Sequence, residues 1–245
     1  MRLARSAIGR GALVVIPTDT VYGIAADAFS PEAVQKLLNA KGRSRQSPPP
    51  VLIPGIPTLD ALAQDIPQPV RDLVAEFWPG GLTVVLNAQP SLVWDLGETR
   101  GTVALRMPSN QVALDLLAET GPLAVSSANR TGMPAAIDVH GAEDMLGASV
   151  AVYLDGGVAG LGYEPVGAGV GDTSSTIVDA TGFATNGGKL QIVRQGVISR
   201  EAIEAVIGDA LAPATPNPLP TIDEAPASAG DAVADADTDE AAAAG

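Results

Sequence analysis

The sequence predicts an α/β domain built on a mixed sheet, and three observations carry that expectation. Short apolar, β-branched runs recur along the chain between segments with helical spacing of apolar residues. Clusters of Thr, Ser, Asp, Asn and Arg sit at the ends of those runs, as if several strands open onto one shared cleft. About 212 residues precede an abrupt change in composition, enough chain for one sizeable single-core domain.

Taken in order, Arg2, Arg5 and Arg10 fall in a first amphipathic helix, and the apolar run 11–16 (GALVVI) reads as a buried strand. The run could pass for a secretory signal, but Pro17-Thr18-Asp19 stops it short of the ~7–15 apolar residues and small-residue cleavage site that a signal needs, and far short of the ~20 of a membrane span. Ser30 as N-cap, Pro31 at the first helical position and an early Glu32 start a helix whose stripe is Val34, Leu37 and Leu38, ending near Gly42. Arg43, Arg45 and Ser47 then lie on a loop before Pro48-Pro49-Pro50 and the strand Val51-Leu52-Ile53. Further strands are expected at 82–86, 102–106, 122–125, 150–154, 175–179 and 190–196. Met107-Pro108-Ser109 caps the helical pattern Gln111–Glu119.

Composition excludes several chemistries. With no cysteine and one histidine, disulfide frameworks, thiolate nucleophiles, iron–sulfur clusters and multi-histidine metal sites are out, leaving hydroxyls, carboxylates, Lys, Arg and backbone. The formal charge of −14 argues against a polyphosphate ligand until its distribution is considered. Residues 213–245 form a Pro/Ala/Asp tail with seven acids and no base, too poor in large apolar residues to fold, so it is expected to be disordered. Without it, 21 acids face 14 bases. The densest positive charge is Lys36, Lys41, Arg43 and Arg45; cations just past a helix C-terminus also have a plain explanation in the helix dipole.

Other patterns carry less. The segment 167–171 (GAGVG) lacks the spacing of a phosphate-binding glycine loop and leads towards a strand, so it reads as a surface loop. Asn129-Arg130-Thr131 matches a glycosylation sequon that is common by chance, and His140 reads as a surface or helix-start residue. Asp19 and Asp27 are conceivable metal ligands, with a local turn role the plain alternative for Asp19.

Seven blocks, namely PTDTVYGI at 17–24, AKGRSR at 40–45, WPGGLTVVL at 78–86, GTVALRMPS at 101–109, AVSSANRTGMPA at 124–135, SSTIVD at 174–179 and IVRQG at 192–196, resemble in order and spacing the YrdC-like family of L-threonylcarbamoyladenylate synthases. The resemblance covers most of residues 11–200 and implies an open, twisted mixed sheet with flanking helices, an α/β sandwich with a concave positive surface. It implies that L-threonine, bicarbonate or CO2, and ATP combine into threonylcarbamoyl-AMP with release of pyrophosphate. The product would serve a downstream tRNA-modifying threonylcarbamoyl transferase in the cytoplasm, Mg2+ would be carried with ATP, and tRNA itself is a conceivable partner.

The same resemblance implies roles for individual residues. Lys41, Arg43, Ser127 and Asn129 would be catalytic. Arg43, Ser47, Thr102, Ser127, Ala135 and Arg194 would meet ATP, and Thr20, Arg106, Val125 and Ser175 would meet threonine, with no protein metal ligand. Arg106 suits a carboxylate clamp because a guanidinium bonds both oxygens at once. Ser47 departs from a Lys or Asn common in the family, and Leu52 replaces a polar residue of some relatives. With only an acidic tail after residue 212, the chain is expected to be of the single-domain type, 1–212, without the linker and second domain of longer relatives. Two other classes compete. A noncatalytic double-stranded RNA- or tRNA-binding module would show basic residues interleaved with aromatics, which form 3% of this chain. A carbamoyltransferase of the hydrogenase-maturation type would add further domains and cysteine motifs.

Overall fold

In the computed structural model, residues 1–161, 163–167 and 173–214 are described. The expected tail, apart from Pro213 and Ala214, and the glycine segment after Gly167 lie outside them. Nine strands form one mixed sheet: β1 (Val14–Ile16), β2 (Gly23–Asp27), β3 (Val51–Leu52), β4 (Leu82–Asn87), β5 (Thr102–Arg106), β6 (Leu123–Ser127), β7 (Val152–Tyr153), β8 (Thr176–Asp179) and β9 (Gln191–Arg194). Their order across the sheet is β7-β1-β2-β6-β3-β5-β4-β8-β9. Parallel pairs β1/β7, β3/β5 and β4/β8 are interspersed among antiparallel ones, which makes the sheet mixed as expected.

Helices cover both faces, so the central strands read as continuous apolar runs rather than alternating ones. Alternation decides which helix each residue meets. Val14, Ile16 and Ala25 pack with α1 (Arg2–Gly9) and α5 (Gln111–Thr120), whereas Val15, Ile24 and Ala26 pack with α2 (Pro31–Lys41) and α6 (Val139–Leu146). The third and largest cluster joins β4, β5 and β8 to α3 (Ile56–Leu62), α4 (Gln68–Phe77) and α7 (Arg200–Ile207).

The caps explain where helices begin. Ser30 accepts a hydrogen bond from the Ala33 amide, and Gly42 ends α2 in the left-handed conformation that lacks a penalty only for glycine. The α5 cap is one residue later than expected: Asn110, not Ser109, accepts from the Ala113 amide, and the Ser109 amide donates to Asp19 Oδ1 instead. The sequence reading also missed β2, which Pro17–Tyr22 folds back against β1, and it missed α3 and α4, both of which carry a proline in their first turn.

Candidate active site

The turn after β1 is tied by its own hydroxyl. Thr18 Oγ1 donates to the Val21 carbonyl at 2.6 Å and accepts from the Thr20 and Val21 amides. This frees Asp19 and Thr20 to reach Arg106 at the end of β5. Arg106 Nη2 donates to Asp19 Oδ2 at 2.8 Å, Nη1 to Thr20 Oγ1 at 3.0 Å and Nε to the Gly80 carbonyl at 2.9 Å. The pair is 7% exposed at both residues, and its fixed geometry leaves one proton on each terminal nitrogen for a ligand oxygen. Asp19 spends its second oxygen on the Ser109 amide, so the residue considered as a metal ligand orients Arg106 instead.

Lys41, the last residue of α2, is 1% exposed. Its Nζ lies 2.5–3.2 Å from four oxygens: the Ser127 carbonyl and hydroxyl, and the Asn129 carbonyl and side-chain Oδ1. The Lys41 carbonyl accepts from the Thr131 amide and hydroxyl, while Asn129 Nδ2 donates to the Arg130 and Met133 carbonyls. Burial, and secondarily the charge of Arg43, push the ammonium down to about 7, against the pull of the oxygens around it. The arrangement makes Lys41 the hub of the turn after β6. The same bonds leave the sequon residue Asn129 buried and fully engaged.

Arg43 leaves the end of α2 towards β6, where its Nη1 donates to Ser126 Oγ at 2.9 Å. Arg194 on β9 donates through Nε and Nη2 to the Ser175 carbonyl and through Nη2 to Ser175 Oγ, which is 2.8 Å from Thr83 Oγ1 on β4. Burial and the neighbouring Arg194 hold Arg43 below the usual arginine range. Two like charges that act on one another across the cleft make this wall positive and suited to an anion. The irregularity in the β8/β9 pairing brings Gly196 against Ser174 and Ser175. A Cβ there would lie 2.1 Å from the Ser174 carbonyl oxygen, so Gly196→Ala is expected to displace Ser175 and Arg194 together, at about 1–3 kcal/mol of stability. An unchanged melting temperature would contradict that contact.

These groups line a cleft of about 550 Å³ whose walls contain Arg43, Arg106 and Arg194 and several hydroxyls, with no carboxylate among the described residues that line it. Of the residues expected at the site, Thr20, Arg43, Arg106, Val125, Ser127, Asn129, Ala135, Ser175 and Arg194 line it. Three do not. Lys41 is enclosed beneath the turn it ties. Ser47 stays on the loop, with its amide bonded to the Ser44 carbonyl. Thr102 shares a strand face with Arg106 but begins the strand, about 13 Å away at the usual rise, with its hydroxyl donated to the Thr99 carbonyl. Thr83 and Ser126 line the cleft without having been singled out in the sequence. Thr83 could have been found from its place at the β4 end of the WPGGLT block.

The family described as Sua5_yciO_yrdC, telomere recombination, matches residues 6–196. A protein of Mycobacterium tuberculosis named as a candidate threonylcarbamoyl-AMP synthase is 48% identical over 205 residues, covering 84% of this chain and 88% of its own. The threonylcarbamoyl-AMP synthase of Pyrococcus abyssi is 35% identical over 211 residues, 85% of this chain but only 57% of the longer relative. The crystal structure of P. abyssi Sua5 complexed with L-threonine superposes with a TM-score of 0.73 at 33% identity, covering 86% of this chain and 58% of that one. With that much of its length matched in sequence and in fold, the chain belongs to the Sua5–YciO–YrdC family.

Proposed function

We propose that this chain is a threonylcarbamoyl-AMP synthase. The observation that carries the reading is the cleft wall, where three arginines and a set of hydroxyls converge, with no carboxylate or histidine among the described residues that line it. Such a wall binds and orients anions and does little covalent work, which suits a reaction whose difficulty lies in assembling three small reactants. The free amine of L-threonine attacks CO2, forming an N–C bond and releasing a proton, to give a carbamate. A carbamate oxygen then attacks the α-phosphorus of ATP in line, and the bond to the bridging oxygen breaks as pyrophosphate leaves.

Arg106 takes the threonine carboxylate, using the two protons that Thr20, Asp19 and Gly80 leave free, with Val125 beside it. Arg43 and Arg194 take the phosphates, while Ser127, Asn129 and Ala135 shape the nucleotide side. Lys41 holds Ser127 and Asn129 in place. Mg2+ enters bound to ATP as part of the substrate; among the described residues no group of three or more His, Cys, Asp or Glu could hold a metal ion. The product is consumed by a tRNA-modifying threonylcarbamoyl transferase in the cytoplasm.

Mass spectrometry after incubation with [13C]bicarbonate, L-threonine and Mg-ATP tests the reading. A labelled threonylcarbamoyl-AMP adduct is expected. Its absence from folded protein, with tRNA binding retained, would favour a noncatalytic RNA-binding module instead.

A further inference from the structure

The segment joining β7 to β8 places one aromatic hydroxyl against the turn that orients Arg106. Tyr163 Oη accepts a hydrogen bond from the Gly81 amide at 2.8 Å. That N–H and the Gly80 carbonyl, which accepts from Arg106 Nε at 2.9 Å, are the two ends of one peptide group. Tyr163 and Arg106 therefore grip the same plane from opposite edges. A peptide flanked by two glycines turns easily about its Cα–Cα axis, and turning would carry the carbonyl away from the guanidinium. The flanking residues must nevertheless be glycine. A Cβ on Gly81 would sit 2.7 Å from Tyr163 Oη and 2.3 Å from Val197 Cγ2, and one on Gly80 would sit 2.7 Å from the Phe77 carbonyl oxygen. With so little side-chain restraint available, the bonds at its edges are what hold the plane.

The remaining bonds of the turn fit this role. The Gly80 amide donates to the Met107 carbonyl and the Gly81 carbonyl accepts from the Thr176 amide, so the turn is fixed at β5 and β8 on either side of the gripped peptide. The segment carrying Tyr163 is itself held at the Asp19–Thr20 turn. Tyr22 Oη donates to the Gly157 carbonyl and accepts from the Gly156 amide, and a Cβ on Gly160 would lie 3.2 Å from the Thr20 carbonyl oxygen. Burial raises the Tyr163 hydroxyl above its ordinary range, so it remains a neutral acceptor throughout the working pH range. Donation from the amide to Tyr163 also polarises the peptide and strengthens its carbonyl as an acceptor for Arg106.

We infer that Tyr163 is a positioning residue for the amino-acid substrate, acting through the Gly80–Gly81 peptide to set the guanidinium of Arg106. The inference rests on the synthase reading and on Arg106 meeting the threonine carboxylate. It makes Tyr163 a determinant of amino-acid affinity rather than of nucleotide affinity.

Steady-state pyrophosphate release by the full chain tests it. Tyr163→Phe removes the acceptor and keeps the ring; it is expected to raise KM for L-threonine about five- to tenfold while KM for ATP stays within twofold. On an Arg106→Lys background, where the Nε bond to Gly80 is already gone, the same change should have less than a twofold effect. Leu161→Ala, at a residue 83% exposed in the same segment, should leave both constants unchanged. A threonine KM within twofold of wild type, an equal rise in both constants, or a full effect on the Arg106→Lys background would each overturn the inference. Wild-type release that does not depend on threonine would overturn the synthase reading itself, so the two failures are separable in one assay.

Discussion

Arg106→Ala is expected to destabilise the protein by about 3–5 kcal/mol and to reduce kcat/KM for threonine by at least two decades. Both effects have the same origin. Asp19 is 7% exposed, and removing its guanidinium partner leaves a buried carboxylate with the Ser109 amide as its one donor among the described residues. The Thr20 hydroxyl and Gly80 carbonyl lose their bonds at the same time. A carboxylate substrate then enters a site that retains Asp19 and lacks the charge that offset it. Arg106→Lys separates the two consequences: it restores a positive charge beside Asp19 but lacks the planar fork, so stability should recover more than threonine affinity. The melting temperature and the KM for threonine, measured on both variants, check this. Equal recovery of both quantities would mean that charge alone is required.

Lys41→Ala should lower the melting temperature by roughly 10 °C, the counterpart of about 2–4 kcal/mol in a domain of this size. The lysine stem is buried, and the ammonium serves four oxygens that lose their shared donor once the side chain is gone. Turnover should fall with stability because Ser127 and Asn129 belong to the cleft wall and lose their common anchor. Lys41→Met keeps most of the stem and removes only the donors, so it should recover part of the stability and little of the activity. If either variant kept wild-type KM for ATP and wild-type kcat, the turn after β6 would not depend on Lys41. A phosphate contact for Lys41 predicts a different pattern, with lost ATP affinity and an undisturbed melting temperature.

The sequence showed most clearly what depends on short-range chemistry. The Ser30 cap, the Pro31 start and the Gly42 stop of α2 all follow from neighbours within a few residues, and so do the strands of the WPGGLTVVL and SSTIVD blocks. The resemblance placed nine of the site residues on the cleft for the same reason, since each lies in a compact motif at a strand end. What escaped depends on contacts far along the chain. Lys41 sits beside Arg43 in sequence, yet its ammonium is enclosed by residues 86–88 positions away, which no local pattern reports. Thr102 shares the strand-face parity of Arg106, but parity does not say how far the cleft extends along the strand. Asp19 read as a conceivable metal ligand or a local turn residue because its partner, Arg106, lies 87 positions on. Tyr163 lies in a connection without periodicity, and its significance arises only where it meets the Gly81 amide.

Pyrophosphate release by the purified full chain, measured in a factorial of ATP, L-threonine and bicarbonate, tests the central claim most directly. The three arginines of the cleft are read as assembling all three reactants before the α-phosphorus is attacked. Release is therefore predicted to require every one of them, and to be lost when threonine is replaced by threoninol, which has no carboxylate for Arg106. Release from ATP at an undiminished rate without threonine, or with threoninol in its place, would contradict it.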